Sequence, residues 1–304
     1  MDRFQEMQVL IAVSEQESFS AAAQRLGMSA PSVTRAISAM ESRLGILLLA
    51  RTTRSVRLTD AGRRYVEDCK RILSELHEAE ELAAGNQTKA CGQLLVTAPV
   101  LFGELYVVPL MAQYLAKHSE VNINAMLVDR VVNLIDEGVD VAFRIGNLPD
   151  GGMCAVTVGH IRPVICAAPS FLDRRTRPAR PSDLIDAPVV QSSASALLTE
   201  WQFQTGQGTL SFHPQSRLVV NSNQAAINAA SLGWGFTRVL SYQVADKVAA
   251  GELEIVLDEF ETPPLPIRLF YQGGRMLPAK VTTFVDHCVA ALKANPALQL
   301  QGRS

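Results

Sequence analysis

The sequence has few of the residues that build disulfide frameworks or metal sites. Its 304 residues include only five cysteines, which are widely spaced and never form a C-x-x-C pair. The five histidines are also isolated, without the spacing of metal ligands. These features argue against a disulfide-stabilised secreted framework and a zinc site, and they fit a protein of the reducing cytoplasm.

Long apolar runs and common catalytic motifs are also missing. Runs such as residues 44–50 fall far short of the roughly 20 residues that span a bilayer. The N-terminal segment mixes both charges and lacks the apolar core of a signal peptide, so we expect no export and no membrane partner. No G-x-S-x-G or Walker sequence occurs, and Gly233-Trp234-Gly235 lacks the third glycine of a dinucleotide-binding loop. We therefore expect no catalytic residue, no metal and no cofactor, and an enzyme is a weak alternative.

Charge is unevenly distributed along the chain. The whole chain carries a net charge of −2, which excludes a polycation. Residues 25–64, however, contain eight arginines, no lysine and only two acidic residues, Glu41 and Asp60. The first 64 residues carry a net +3, and the rest of the chain carries −5. A small basic module joined to a larger acidic body is typical of a nucleic-acid reader, although a solvated arginine-rich surface would give the same charge.

The basic module has the spacing of a helix-turn-helix. Ser18 is a good N-cap for a helix over residues 19–26, and Gly27 can provide a turn with positive φ. Ser29 can cap the next helix, which ends at Gly45. Two helices joined by a glycine turn of this length are typical of a helix-turn-helix.

A helical wheel divides the second of these helices into two faces. Val33, Ile37 and Met40 lie together and predict a buried face. The opposite face holds small hydroxyl side chains around Arg35, which can enter a major groove about 12 Å wide and donate two hydrogen bonds to a guanine. The predicted DNA-contacting residues of this helix are Ser29, Pro31, Ser32, Thr34, Arg35, Ser38 and Ser42.

Residues 47–58 are compatible with a β-hairpin wing. Arg54, near its tip, would reach a phosphate or the minor groove, and Arg51 is a further predicted DNA contact. Glu41 falls on the inward face of the preceding helix, where an unpaired carboxylate is costly. We therefore hypothesise a partly buried Glu41–Arg51 pair.

One string of residues in this module matches a known pattern. It consists of Phe19-Ser20-Ala21-Ala22-Ala23, Leu26, Ser29-Ala30-Pro31-Ser32-Val33-Thr34-Arg35-Ala36-Ile37, Met40-Glu41, Leu44-Gly45, Leu48, Arg51-Thr52 and Leu58-Thr59-Asp60-Ala61-Gly62. The string resembles the N-terminal domain of the LysR-type transcriptional regulators. The resemblance implies a winged helix-turn-helix domain, mainly α-helical, that binds double-stranded DNA.

A long helix is predicted after the wing. Thr59 is a good N-cap, and no proline interrupts the pattern as far as Ala84. A narrow apolar stripe at 4-3 spacing predicts a dimerisation seam, which the resemblance also implies, and packing on its own chain alone is the alternative. A dimer would present two recognition helices about 34 Å apart, one turn of DNA. The predicted seam residues are Tyr65, Cys69, Ile72, Leu76, Ala79 and Ala83.

Strand-like and helical patterns alternate beyond a polar hinge and predict an α/β domain with mostly parallel strands. The resemblance implies that this domain is bilobed and periplasmic-binding-protein-like. Strands are predicted at 94–98, 121–127, 139–145, 164–167, 217–220, 236–240 and 267–271, and helices at 105–117, 131–137, 197–205, 224–231 and 279–292. The predicted domains are 1–58 (DNA-binding), 59–85 (linker helix), 86–92 (hinge), 93–162 with 267–294 (first lobe) and 163–266 (second lobe).

Open α/β sheets bind ligands at the carboxyl ends of their strands, so we expect a small-molecule effector in the cleft between the lobes. Backbone N–H groups near Ser193 or Ser195 could bind an anion, with Arg144 or Arg238 as countercharge, although either arginine could equally be a structural salt-bridge partner. The predicted effector residues are Pro99, Val100, Leu101, Phe102, Gly103, Asp129, Arg144, Ile145, Gly146, Ser192, Ser193, Ser195, Asn221, Ser222, Asn223, Phe236 and Arg238.

The resemblance implies a cytoplasmic, effector-controlled transcription regulator. It would act as a homodimer or homotetramer and would contact RNA polymerase if it is an activator. A transport receptor built on the same clamp is a weaker alternative, because such a receptor has no use for a helix-turn-helix.

Overall fold

The computed structural model describes residues 1–51, 56–83, 89–130, 132–134, 137–147, 152–194, 199–273 and 277–299. The chain divides into two compact units, Met1–Thr88 and Lys89–Ser304. Over the described ranges, no helix combines the length and the apolar character needed to cross a bilayer.

The first unit contains four helices and a short hairpin within its described residues. Side-chain caps begin three of these helices as the sequence predicts: Ser18 Oγ accepts a hydrogen bond from Ala21 N, Ser29 Oγ from Ser32 N, and Thr59 Oγ1 from Gly62 N. The elements are α1 (Arg3–Gln16), α2 (Phe19–Arg25), α3 (Ala30–Leu44), the antiparallel strands β1 (Leu49–Arg51) and β2 (Val56–Leu58), and α4 (Asp60–Ala83).

One apolar core holds the first unit together. Val33, Ile37 and Met40 of α3 are fully buried in it, as the helical wheel predicts. The start of α4 packs closely on the wing, because a Cβ at Gly62 would overlap the carbonyl group of Leu48. Recognition helix, wing and linker helix therefore share one core.

The second unit is an α/β structure. A π-helical turn, Gly103–Val107, joins its first two helices. Its elements are β3 (Gly92–Ala98), α5 (Val100–Phe102), α6 (Val108–Leu115), β4 (Val121–Leu127), β5 (Val141–Ile145), β6 (Cys154–Ile161), β7 (Pro163–Ala167), α7 (Pro169–Leu172), β8 (Val190–Ser192), β9 (Trp201–Thr205), β10 (Gly208–Phe212), β11 (Leu218–Val220), α8 (Asn223–Ser231), β12 (Thr237–Leu240), α9 (Ser241–Ala249), β13 (Glu254–Val256), β14 (Leu265–Tyr271) and α10 (Ala279–Lys293).

Two sets of strands and the separate antiparallel hairpin β9-β10 build this unit. The first is a sheet of order β4-β3-β5-β14-β6, in which β3 runs parallel to β4 and β5 and β14 runs antiparallel to β5 and β6. The second set comprises the antiparallel group β12-β7-β13 and the parallel pair β11-β8, with a bridge between Val189 and Phe236 connecting the two. The chain builds the second set and then returns to the first through β14.

The structure corrects three local predictions. Residues 132–134 and 137–139 contain turns where a helix was expected over 131–137. Trp201–Thr205 is a strand paired with Gly208–Phe212, not the end of a helix, because Trp201 and Phe203 alternate with exposed Gln202 and bury one face of a hairpin. Parallel strands do not predominate in the described sheets, since β14 enters the first sheet antiparallel to both neighbours.

Candidate nucleic-acid interface and ligand site

The outward face of α3 is polar and carries one unneutralised arginine. Arg35 Nη2 donates to Ser32 Oγ over 3.4 Å, and Ser32 Oγ lies 2.8 Å from Ser29 Oγ. Within the described ranges, Arg35 has no carboxylate partner, so its charge is available to a ligand. The Thr34 hydroxyl donates to Ala30 O within the helix over 3.1 Å. Of the predicted contacts on α3, Ser29, Pro31, Arg35, Ser38 and Ser42 are exposed, whereas Ser32 and Thr34 are half-buried.

A second arginine of α3 has a structural role. Arg43 Nη2 donates to Glu6 Oε2 over 2.6 Å and so joins α3 to α1. The hydrogen bond to Glu6 raises the pKa of the Arg43 guanidinium. Arg35 therefore lies on the outward face of α3, whereas Arg43 pairs with a carboxylate of α1.

Glu41 ties the recognition helix to the wing. Its side chain is buried, and Oε1 accepts hydrogen bonds from Leu48 N at 2.9 Å and Leu49 N at 3.1 Å. These two N–H groups compensate a carboxylate that would otherwise be costly to bury. The side chains of Arg51 and Arg54 lie outside the described residues, so the Glu41–Arg51 pair and the wing contact stay predictions.

The predicted dimerisation seam on α4 needs one correction. Cys69 is fully buried in the core of its own unit, beside Val66, and cannot face a second helix. Burial raises the pKa of its thiol to about 11. Tyr65 packs against the same core, because the first half of α4 lies on α1. Ile72 and Leu76 are half-buried, and the side chains of Ala79 and Ala83 lie outside the described residues.

Part of the predicted effector site between α5 and β4 is core. Phe102 is fully buried and its ring centroid lies 5.2 Å from that of Tyr106 and 5.7 Å from that of Tyr242. Leu101 is buried as well, so neither it nor Phe102 is free to contact a ligand. At the start of α5, Val100 N donates to Asp129 Oδ1 over 3.1 Å, next to Pro99.

This aromatic cluster joins the two sets of strands. Tyr106 follows β3, whereas Tyr242 follows β12, and their rings lie 5.9 Å apart. Burial raises the pKa of the Asp129 carboxyl. Burial also raises the pKa of the Tyr242 hydroxyl, with a smaller contribution from the charge of Asp129. Gly103 packs so closely on Leu127 that an added Cβ would overlap that side chain.

Two buried arginines form no salt bridge with the residues that the structure describes. Arg144, 8% exposed, donates to Phe143 O at 2.9 Å and to Thr97 Oγ1 at 3.5 Å. Arg238, 6% exposed, donates to Glu200 O. Burial lowers the pKa of both guanidinium groups, that of Arg238 to about 10. Neither arginine forms a salt bridge with a described residue. The charge of Glu137 nevertheless acts to raise the pKa of Arg144, and that of Glu200 acts to raise the pKa of Arg238, so the structural alternative stays open.

Two buried polar atoms, one just after β11 and one beside the start of β8, are left without partners in the part of the chain that the structure describes. Asn223 Oδ1, at the start of α8, and Thr237 Oγ1, at the start of β12, have no hydrogen-bond partner within the described ranges. Ser222 Oγ accepts from Ala225 N and caps α8. Thr237 lies between Phe236 and Arg238, two residues predicted to line the effector site.

The remaining predicted effector residues are only partly free. Ser193 N donates to Val220 O over 2.8 Å, so it cannot bind an anion as proposed. Phe236 packs edge-to-face on Phe171 in an internal core and does not face a ligand. Gly146 donates its N–H to Pro266 O. Ile145 and Ser192 are buried, Asn221 is exposed, and Ser195 lies outside the described residues.

Family comparisons match both units. A model of the bacterial regulatory helix-turn-helix proteins of the lysR family matches residues 4–63, and a model of the LysR substrate binding domain matches residues 87–293. The chain belongs to the LysR family. This LysR-type protein is a DNA-binding transcription regulator with a substrate-binding domain, and not an enzyme. As a member of this family it binds DNA through the helix-turn-helix domain and an effector through the substrate-binding domain.

Individual relatives align along nearly the whole chain. The HTH-type transcriptional regulator YhjC of Escherichia coli (strain K12) is 32% identical over 295 residues, which are 96% of this chain and 99% of YhjC. The solved structure of CrgA, a LysR-type transcriptional regulator from Neisseria meningitidis, is 26% identical with a TM-score of 0.61, covering 96% and 99% of the two chains. The Vibrio cholerae virulence activator AphB, 24% identical with a TM-score of 0.63 and coverage of 95% and 99%, shares the fold.

Proposed function

We propose that this LysR-type regulator reads double-stranded DNA with the outward face of α3, and that a small-molecule effector in its C-terminal domain controls DNA binding or activation. The observation that carries the first part is Arg35, which lies among short hydroxyl side chains and has no carboxylate partner in the described part of the chain. That combination suits a major groove, where an arginine donates two hydrogen bonds to guanine. The predicted wing arginines, Arg51 and Arg54, would add phosphate contacts.

The effector would bind between two lobes, residues 93–162 with 267–294 and residues 163–266. Three buried features support this site: the unpartnered Asn223 Oδ1, the unpartnered Thr237 Oγ1 and the guanidinium of Arg238. Buried polar atoms are normally hydrogen-bonded, and a buried charge is normally paired. An effector with a hydrogen-bond donor for Asn223 and a negative charge for Arg238 would satisfy both requirements.

Control of DNA binding would work through the relative position of the lobes. The Phe102–Tyr106–Tyr242 cluster connects them, with the π-helical turn Gly103–Val107 on one side and α9 on the other. A ligand can shift the lobes only if it binds one arrangement more tightly than another. An effector that saturates the site but leaves the DNA footprint and bend unchanged would contradict this mechanism.

Self-assembly would use the second half of α4, beginning with Ile72 and Leu76, to form a homodimer that can pair into a homotetramer. The regulator would act in the cytoplasm of a bacterium, and as an activator it would also contact RNA polymerase.

The DNA-binding part is tested by comparing arginine variants on selected and random duplexes. Arg35→Ala should weaken binding to the selected duplex by about 1–3 kcal/mol and relax its base preference, whereas Arg54→Ala should weaken binding to all duplexes alike and reduce the salt slope by about one. Arg177→Ala, which removes an arginine of the second unit that pairs with Glu254, is the matched control and should change neither quantity. Equal losses on selected and random DNA for both Arg35 and Arg54 variants would refute this assignment of roles.

A further inference from the structure

A cavity of about 820 Å³ opens in the second unit, at the amino ends of three strands. Val189, Arg217 and Trp234 line it, and they precede β8, β11 and β12 respectively. The proposed effector residues Ser192 and Asn221 lie instead at the carboxyl ends of β8 and β11. Because Val189 and Ser192 are three residues apart along extended chain, about 10 Å separates them. The cavity shares no lining residue with the proposed effector site.

The lining of the cavity is positively charged. Arg174, Arg175 and Arg217 contribute three positive charges, against one carboxylate, Asp186. None of the three arginines forms a salt bridge within the part of the chain that the structure describes. The cavity therefore presents cationic groups that no protein carboxylate neutralises.

Other arginines of the same segment behave differently. Arg177 pairs with Glu254, and Arg180 pairs with Asp183 over 3.3 Å. Carboxylates are thus within reach of this surface, yet the arginines that line the cavity are left without them. This difference argues for a ligand of negative charge.

Two of the cavity arginines are held in place by contacts that leave their charge unneutralised. Arg174 Nε donates to Ser170 O over 2.8 Å. The guanidinium carbon of Arg175 lies 5.2 Å from the centre of the Phe171 ring. Gly233 leaves room for Arg174, since an added Cβ would lie only 3.2 Å from its Nη2. The arginines are therefore oriented before any ligand binds, which reduces the entropy lost on binding.

The cavity also has apolar surface suited to a flat ring. Trp234 is 42% exposed and Ile185 is 52% exposed, and both line the cavity. Large apolar side chains exposed beside a cluster of arginines are unfavourable in water but can contact the apolar body of a ligand. The combination matches a molecule with an aromatic ring and an anionic group.

We propose that this cavity is a second ligand site, which binds a small aromatic carboxylate. The carboxylate accepts hydrogen bonds from the arginines, and the ring packs on Trp234. The site is separate from the proposed effector cleft, so a ligand can occupy it whether or not the cleft is filled.

The two tryptophans of the chain provide a selective probe. Trp201 is 1% exposed in an internal core, whereas Trp234 faces the cavity. The full-length protein is titrated with phenylacetate and, as the uncharged analogue, with phenylacetamide, while tryptophan fluorescence and binding heat are recorded. Phenylacetate should change the fluorescence saturably, and phenylacetamide should bind at least about tenfold more weakly because it cannot form charge-assisted hydrogen bonds.

Variants identify the site. Arg175→Gln and Arg217→Gln should each weaken phenylacetate binding by about tenfold. Arg180→Gln, an exposed arginine paired outside the cavity, should bind like the unchanged protein, and Trp234→Phe should lose the fluorescence change. Equal binding of acid and amide, no saturable fluorescence change, or binding heat that survives the Arg175 and Arg217 substitutions unchanged would each overturn the proposal. Binding heat that is unchanged in these two variants would show that phenylacetate binds at a different site.

Discussion

Replacing Glu41 by alanine should loosen the wing from the recognition helix. Glu41 Oε1 accepts hydrogen bonds from two backbone groups, Leu48 N and Leu49 N, at positions where both leucines are buried. Removing the carboxylate leaves two buried N–H groups without this acceptor, and each costs about 1–3 kcal/mol. Allowing for partial relaxation, we expect a loss of roughly 3 kcal/mol in the stability of the first unit.

The loss is large enough to measure in the full-length protein. For a unit of this size, about 3 kcal/mol lowers the melting temperature by roughly 12–24 °C. Calorimetry should show this shift for the first unit, and hydrogen exchange should show faster exchange at Leu48 and Leu49. Glu41→Gln is the matched control, because its amide oxygen can still accept both bonds, and its loss should be much smaller. An alanine variant with unchanged melting and unchanged exchange at these two amides would refute the role assigned to Glu41.

Three further substitutions have defined outcomes. Ser18→Ala removes the cap of α2 and should lower the free energy of unfolding in urea by about 1 kcal/mol. Burial raises the pKa of Asp129, so the folded state holds the carboxyl proton more tightly than the unfolded state does. The free energy of unfolding should therefore fall as pH rises through the range just above the ordinary aspartate pKa of about 3.9. In urea titrations at several pH values, Asp129→Asn should remove this contribution to the pH dependence. Cys154 is exposed, whereas Cys69, Cys166 and Cys288 are buried, so a thiol reagent should modify Cys154 rapidly and these three only on unfolding. Cys154→Ser should abolish the fastest phase of thiol modification.

Local side-chain chemistry was predictable from sequence. Ser18, Ser29 and Thr59 cap the helices expected of them, because a cap depends on residues three positions apart. The inward face of α3 was predictable for a similar reason, since the wheel fixes which side chains lie together. The LysR resemblance rested on these same residues and is confirmed by the family matches.

Features that depend on distant pairing were harder to predict. The spacing that includes Cys69 predicts a seam, but spacing cannot tell whether α4 packs on its own unit or on a second copy. The strand at Trp201–Thr205 depends on a hairpin partner that follows it in sequence. Arg144 and Arg238 stay predicted effector residues, and their burial without a salt bridge to a described residue follows from the arrangement of several strands. Leu101, Phe102 and Phe236 lie where ligand residues were expected and are core because other elements cover them.

The central claim is that this protein recognises specific DNA through α3, and selection of bound duplexes from a random library tests it most directly. The full-length protein should enrich a two-fold symmetric pair of half-sites about 10 base pairs apart or a multiple of that spacing. The Arg35→Ala variant should lose the preference at one base pair of each half-site while still binding DNA. No enrichment over the starting library, or the same enriched sequence with the same strength for both proteins, would contradict the account.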